Sequence, residues 1–212
     1  SQAFVFDKLY ATSCKNDTPT LSPAPFDIAR DGLVLGEGGA MFVLESLGSA
    51  LARGAKIYAE IVGFGTTCDG THITRPQSET MRAAMQLALK DAAISPDLIG
   101  HVNAHATATR QGDVAESAAT HEIFGSQTPV SSYKGYLGHT LGACGALESF
   151  ISVMMMNEGL FYPNLNLRDI DPQCAPLRYL TQPQEIKTDY VMNNNFAFGG
   201  VNTSLIFKKF ID

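Results

Sequence analysis

One stretch constrains this chain more than any other: Val130 to Glu148, VSSYKGYLGHTLGACGALE. A β-type run (Val130, Ser131, Ser132) leads into Lys134, then Gly138 and His139, then a small-residue helix start at Gly142. Lys134 and His139 stand at i and i+5, flanked by glycines and followed by an apolar helix. An α/β protein mounts polar groups in this way, at the end of a strand and the mouth of a helix. A histidine beside a permanent cation and a helix N-terminus is expected to stay neutral near physiological pH. It then serves as hydrogen-bond donor or proton acceptor rather than as a charge. A loop histidine that only caps structure would fit the same spacing.

The 212 residues are 45% hydrophobic and 17% charged, enough for a sizeable core. A net charge of -6 argues against nucleic acid or anionic membrane as a general partner. No apolar run reaches the length of a membrane span. The opening SQAFVFDKLY lacks the basic segment and cleavage pattern of a signal peptide, so a cytoplasmic location is expected. It also lacks an initiator methionine and reads as a helix already under way, so the protein is expected to begin further upstream. Removal of a methionine before Ser1 is the alternative. The four cysteines, Cys14, Cys68, Cys144 and Cys174, are scattered and form no CxxC pair. Without a secretion signal they read as free thiols. Cys144, at a helix start, is either a low-pKa thiolate or a small buried residue that lets the helix approach a neighbour. No metal site is expected.

The remaining pattern alternates strand, loop and helix. Residues 1–12 read as a helix end and 14–25 as a proline-dotted loop. Asp27, Arg30 and Asp31 are dense enough to pair with one another. Gly36-Glu37-Gly38-Gly39 is a poor phosphate cradle, lacking the lysine and hydroxyl of a P-loop. Ala40–Glu45 reads as a short strand, Ser46–Arg53 as a helix ended by Gly54, and Lys56–Gly65 as a β-branched-rich strand. Ser78–Ala93 is the clearest helix, with Ser78 as its N-cap and Met81, Ala84, Met85 and Ala88 at helical spacing. Ile99–Asn103 is a strand ending in His105-Ala-Thr-Ala-Thr109. Asp113–Phe124 is a helix with a carboxylate in its first turn, and Cys144–Glu158 is helical. Phe161–Asn166 is extended. Tyr190–Asn195 and Val201–Lys208 are strands joined by Phe196-Ala-Phe-Gly-Gly200, whose glycines permit positive φ. The pattern predicts a mixed sheet covered by helices on both faces. The loops His105–Thr109, Lys134–His139 and Phe196–Gly200 are expected to converge on one pocket at the strand ends.

Four segments resemble, in order, those of the β-ketoacyl-acyl-carrier-protein synthases, condensing enzymes of the thiolase-like superfamily. Arg30-Asp-Gly-Leu-Val-Leu-Gly-Glu37-Gly is similar to RDGFVxGEG, and Asn103-Ala-His105-Ala-Thr-Ala-Thr109 with Gly112, Asp113 and Glu116 to NAHGTxT…GD…E. Ser131-Ser-Tyr-Lys134 through Gly138-His139 to Glu148 is similar to SSxKxxxGHxxGAxGAxE, and Asn194 to Asn202 to NSFGFGGxN. The likeness spans essentially the whole chain and points to the C-terminal half of such an enzyme.

The resemblance implies a layered α/β/α/β/α architecture. Residues 1–54 would be the tail of the N-terminal half and residues 55–212 the C-terminal domain. It implies condensation of an acyl chain, held as a thioester on cysteine, with malonyl carried on acyl carrier protein. His105 and His139 would donate hydrogen bonds to the developing oxyanion. Lys134, held by Glu148, would orient the site. The Phe198 N–H would complete an oxyanion hole while its ring gates the acyl pocket. Thr107 and Thr109, Gly199, and more weakly Thr74 would contact the substrate and its pantetheine arm. No cofactor is implied beyond the carrier protein's phosphopantetheine. The partners implied are acyl carrier protein, the upstream half of the same polypeptide, and a second copy or a chain-length factor. The nucleophilic cysteine would lie upstream of Ser1, so this segment alone is expected to be inactive and to expose apolar surface where its other half docks.

Family glycines are replaced by Ala106 and Ala197, and the usual serine after Asn194 by Asn195. A Cβ at the former two narrows the pocket or changes the backbone angle. A non-catalytic chain-length-determining subunit is the rival reading, against which the retained histidines speak. A coenzyme A-dependent thiolase is disfavoured because the loop after Asn194 has no cysteine.

Overall fold

The computed structural model describes residues 2–71 and 75–211. In chain order the elements are α1 (Gln2–Lys8), α2 (Leu47–Ala52), β1 (Ala59–Cys68), α3 (Ser78–Asp91), β2 (Ile99–Asn103), α4 (Arg110–Phe124) and β3 (Pro129–Ser131). There follow α5 (Lys134–Leu137), α6 (Cys144–Glu158), β4 (Leu160–Phe161), β5 (Arg178–Tyr179), β6 (Gln184–Glu185), β7 (Tyr190–Phe196) and β8 (Val201–Lys209). Six strands form one sheet in the order β1-β8-β7-β2-β3-β5, and β4 and β6 form a separate pair. β8 pairs antiparallel with both β1 and β7, while β7, β2, β3 and β5 are parallel. The expected mixed sheet is therefore present.

Period-two alternation along β7 and β8 divides the core between the two faces. Met192 and Ile206 join Met81, Met85, Ile99 and Val102 under α3. Val191 and Phe207, one residue away, join Val153, Met156, Tyr133 and Phe161 under α6. Helices thus cover both faces, as a sheet apolar on both sides requires. Gly63 and Gly65 let β1 lie close against α3: a Cβ would come within 2.4 Å of the Ala88 carbonyl oxygen and 2.0 Å of that of Ala84.

Four local expectations are corrected. Ala40–Glu45 pairs with no strand among the described residues; it runs along the surface with Met41 92% and Val43 80% exposed. Its hydrophobicity gave the strand signal, but pairing needs a partner strand within reach. Ser78 is not the N-cap of α3: Gln77 occupies that position, and Ser78 is the first helical residue. Asp27, Arg30 and Asp31 do not neutralise one another. The Arg30 guanidinium, itself buried, lies 2.6 Å from Asp171 and 3.4 Å from Asp113. Asp31 accepts from the Ser13 hydroxyl at 2.8 Å and the Cys14 N–H at 2.8 Å. Asp27 accepts the N–H groups of Ala29, Arg168 and Asp169. These charges tie distant segments together, which local spacing could not reveal. Strand β1 also begins and ends three residues later than its β-branched run predicts. Among the described residues no helix is long and apolar enough to cross a membrane.

Candidate active site

The three loops singled out by the sequence meet. β2 delivers the His105–Thr109 loop, β3 delivers α5 and His139, and the β7–β8 hairpin turn carries Phe198. β2, β3 and β7 are parallel, so their C-terminal ends share one edge of the sheet, where ligands of α/β proteins gather. The rings of His105 and His139 lie edge to face, centroids 5.1 Å apart. Both face a cavity of about 390 Å³, together with Thr107, Thr109, Phe196 and Phe198.

Behind the rings, Lys134 and Glu148 form a buried ion pair between the ammonium and Oε1. The other oxygen, Oε2, accepts the Asn195 amide at 2.9 Å. Burial, and then the Lys134 charge, hold His139 down at about 3. The ring is therefore neutral at neutral pH. Its Nδ1 accepts the Leu141 N–H at 3.3 Å, a donor from the short turn that precedes α6, which leaves the proton on Nε2. Burial also holds His105 well below its ordinary value, with smaller contributions from Lys134 and His139. Neutrality was expected from the cation and the helix; desolvation is the larger cause.

The backbone around the rings is braced. The N–H groups of His105 and Ala106 donate to the two oxygens of Glu116, each at 2.7 Å. Burial nevertheless pushes Glu116 up to about 8. The His139 N–H donates to the Val34 carbonyl at 2.7 Å, and its carbonyl accepts the Gly36 N–H at 3.0 Å. The glycine-rich segment is thus a splint for His139. Gly36 is required there because a Cβ would come 2.1 Å from the Leu137 oxygen. Asp113, raised to about 6 mainly by burial, accepts the Phe26 N–H at 2.8 Å and anchors the start of α4 beneath the loop.

Most residues singled out in the sequence come together here. Thr107 and Thr109 line the cavity with their hydroxyls 3.1 Å apart. The Phe198 ring packs on Phe6 of α1, centroids 5.4 Å apart. Gly199 is exposed, adopts φ 88° and does not line the cavity; Gly200 does. Thr74 lies outside the described residues. Cys144 is buried and its thiol is pushed up by that burial, so it is the small packing residue rather than a thiolate. Ala106 keeps negative φ, whereas Ala108, two residues on, adopts φ 66°.

Sequence reasoning missed Asp69, whose carboxylate accepts from Asn202 at 2.7 Å and whose N–H donates to the Gly200 carbonyl at 2.8 Å, tethering the Phe198 turn to the end of β1. Its only signal was its place in a polar loop. His105, Cys144 and Glu148 bring donor atoms within 4.8 Å of one another. Glu148 there is already engaged by an ammonium and an amide, so the cluster is organised around Lys134 rather than around a metal ion.

With that geometry in place, comparison with known proteins is decisive. The profile of the β-ketoacyl synthase C-terminal domain matches residues 58–168. This chain belongs to the β-ketoacyl synthase family. It is 42% identical over 211 residues to 3-oxoacyl-[acyl-carrier-protein] synthase 2 of Synechocystis, covering 97% of this chain and 50% of the relative. A crystal structure of a β-ketoacyl synthase from Burkholderia phymatum superposes with a TM-score of 0.98 at 56% identity, over 99% of this chain and 52% of that one. The ishigamide ketosynthase/chain length factor superposes with a TM-score of 0.91 at 36% identity, over 99% of this chain and 51% of that one. The fold is that of the thiolase-like ketosynthases, and the chain is their C-terminal half. It spans about half the length of the relatives it matches.

Proposed function

We propose that the polypeptide to which this half belongs is a 3-oxoacyl-[acyl-carrier-protein] synthase, extending acyl chains in fatty acid or related polyketide-type synthesis. The observation that supports it is two neutral imidazoles sharing one cavity, backed by a buried ammonium–carboxylate pair. Loss of CO₂ from a malonyl thioester leaves its electron pair on the α-carbon and thioester oxygen. Two imidazole N–H groups that need no reorganisation stabilise that oxyanion in a water-poor pocket. The carbanion then attacks the acyl thioester carbonyl, forming the new C–C bond and expelling the cysteine thiolate. In this reading the cysteine lies in the upstream half, and the Phe198 N–H supplies an oxyanion donor for the acyl steps. Thr107 and Thr109 contact the pantetheine arm. Thr74 is assigned to the same contact on the resemblance alone.

Residues 1–54 then complete the N-terminal half and residues 55–212 form the C-terminal domain. The whole enzyme has five layers, works in the cytoplasm with acyl carrier protein, and dimerises with itself or with a chain-length factor. The second reading, a non-catalytic chain-length factor, is supported by likeness to the ishigamide pair. Both histidines and the Lys134–Glu148 pair favour the synthase.

The test is condensation of acyl- and malonyl-carrier protein by the full-length polypeptide. His105→Ala and His139→Ala are expected to lower kcat for malonyl decarboxylation by about 10²–10³ each, the usual magnitude for an oxyanion donor. Wild-type-like decarboxylation in both variants would sink the assignment. The 212-residue segment by itself is expected to give no condensation.

A further inference from the structure

Asn195 stands where the family pattern carries a serine, and it touches the ion pair behind the histidines. Its amide nitrogen donates to Glu148 Oε2 at 2.9 Å and lies 3.6 Å from the Cys144 sulfur. Its carbonyl oxygen packs against Gly145, where a Cβ would come within 2.8 Å. The carboxamide is therefore held by three residues of one turn of α6. Two residues back along β7, Asn193 donates to the Ser149 hydroxyl at 2.9 Å and to the Gly145 carbonyl at 3.2 Å. Its own carbonyl oxygen accepts the Asn103 amide. A ladder of side-chain amides thus runs from β2 through β7 to Glu148.

The geometry points to Asn195 as a positioning residue for the proposed condensation: it fixes the second oxygen of Glu148, and through Glu148 the ammonium of Lys134 behind His105 and His139. The inference rests on the synthase reading. A buried carboxylate has two oxygens to satisfy, and Lys134 serves one. Without the amide, Oε2 has no protein donor among the described residues, and the carboxylate is free to rotate. A serine hydroxyl is shorter than a carboxamide by one bond and falls short of the same direct bond from this backbone position. The titratable groups facing Glu148 are Lys134 from α5, Cys144 on its own helix, His105 from the β2–α4 loop, and Tyr133 ahead of α5.

The test uses the full-length polypeptide carrying Asn195→Ala or Asn195→Asp, with wild type and His105→Ala alongside. Asn195→Ala is expected to lower kcat about ten-fold with KM for the malonyl donor within about two-fold, the split of a group that positions catalysis rather than binds substrate. Asn195→Asp places two carboxyls in one site, so that they share a proton. Its activity is expected to fall as pH rises through that shared pKa and to recover on acidification, when the protonated carboxyl again donates to Glu148. A filler of space would give neither signature.

A second readout needs no turnover: ¹⁵N titration of the histidine rings. Asn195→Asp is expected to add a titration step to the His105 and His139 shifts that wild type lacks. Ring titrations and pH profiles that overlay wild type in both variants would overturn the inference. If wild type does not condense, the synthase reading fails separately, while the ring titration still decides the coupling. Should the aspartate variant fold poorly by circular dichroism, the alanine variant answers through the same titration, where loss of the donor moves the ring shifts.

Discussion

At the scale of single residues, burial rather than neighbouring charge decides most of the titration behaviour. His101 on β2 is the cleanest case. It is fully buried, its Nε2 lies 2.8 Å from the Ser131 hydroxyl, and its ring packs 4.7 Å from that of Phe161. Desolvation lowers it to about 3. The unfolded chain protonates this ring near the ordinary imidazole value of 6.5, and the folded chain does not until about 3, so stability is full above 6.5 and falls as pH drops between the two. The loss by pH 5 is about 2 kcal/mol. His101→Gln is expected to remove that part of the acid sensitivity, read as a smaller difference between urea unfolding curves at pH 7 and pH 5. Equal acid losses in variant and wild type would refute this. The Lys134–Glu148 pair behaves differently, because truncating one partner leaves the other charge buried. Glu148→Ala is expected to cost about 3–5 kcal/mol, measured by denaturant titration, whereas an exposed pair would cost little.

Among the elements, the α3–β1 contact depends on residues without side chains. Gly65→Ala drives a Cβ to 2.0 Å from a backbone oxygen that cannot rotate away. It is expected to lower stability by roughly 1–3 kcal/mol, visible as a lower Tm. Gly48 in α2 is the control: nothing lies within 4 Å of its Cβ position. Gly48→Ala is expected to raise stability by up to about 1 kcal/mol through helix propensity alone. Helices α3 and α6 were legible from periodicity, and the predicted span of α6, Cys144–Glu158, coincides with the observed one. Strand β2 was equally plain. The stretch Ala40–Glu45 was not, because hydrophobic pattern reports burial in some context and cannot say which surface does the burying.

Across the whole molecule, that same stretch is the clearest feature of the surface. Met41, Val43, Leu44, Leu47 and Leu51 are all exposed and follow one another closely in sequence. Such a run marks an interaction surface. In the proposed enzyme the upstream half covers it. The isolated 212-residue chain is expected to bind a hydrophobic dye and to self-associate in analytical ultracentrifugation, and Met41→Glu with Val43→Lys to relieve both without changing the far-UV spectrum. A monomeric, dye-silent chain would contradict this.

The order of the longer helices and strands (Ala40–Glu45 apart), the mixed sheet and the identity of the three site loops followed from residue pattern, because periodicity, glycine and proline act locally; the two-residue strands β5 and β6 did not. The resemblance of four segments pointed to both histidines, Lys134 and Glu148. Only the tertiary structure decided that Arg30 answers to Asp113 and Asp171, that Glu116 and Gly36 brace the histidine loops, and that Asn195 serves Glu148. Those pairings join residues between 10 and 141 positions apart. Their energies depend on burial and hydrogen-bond geometry, and the chain acquires those only once its layers close.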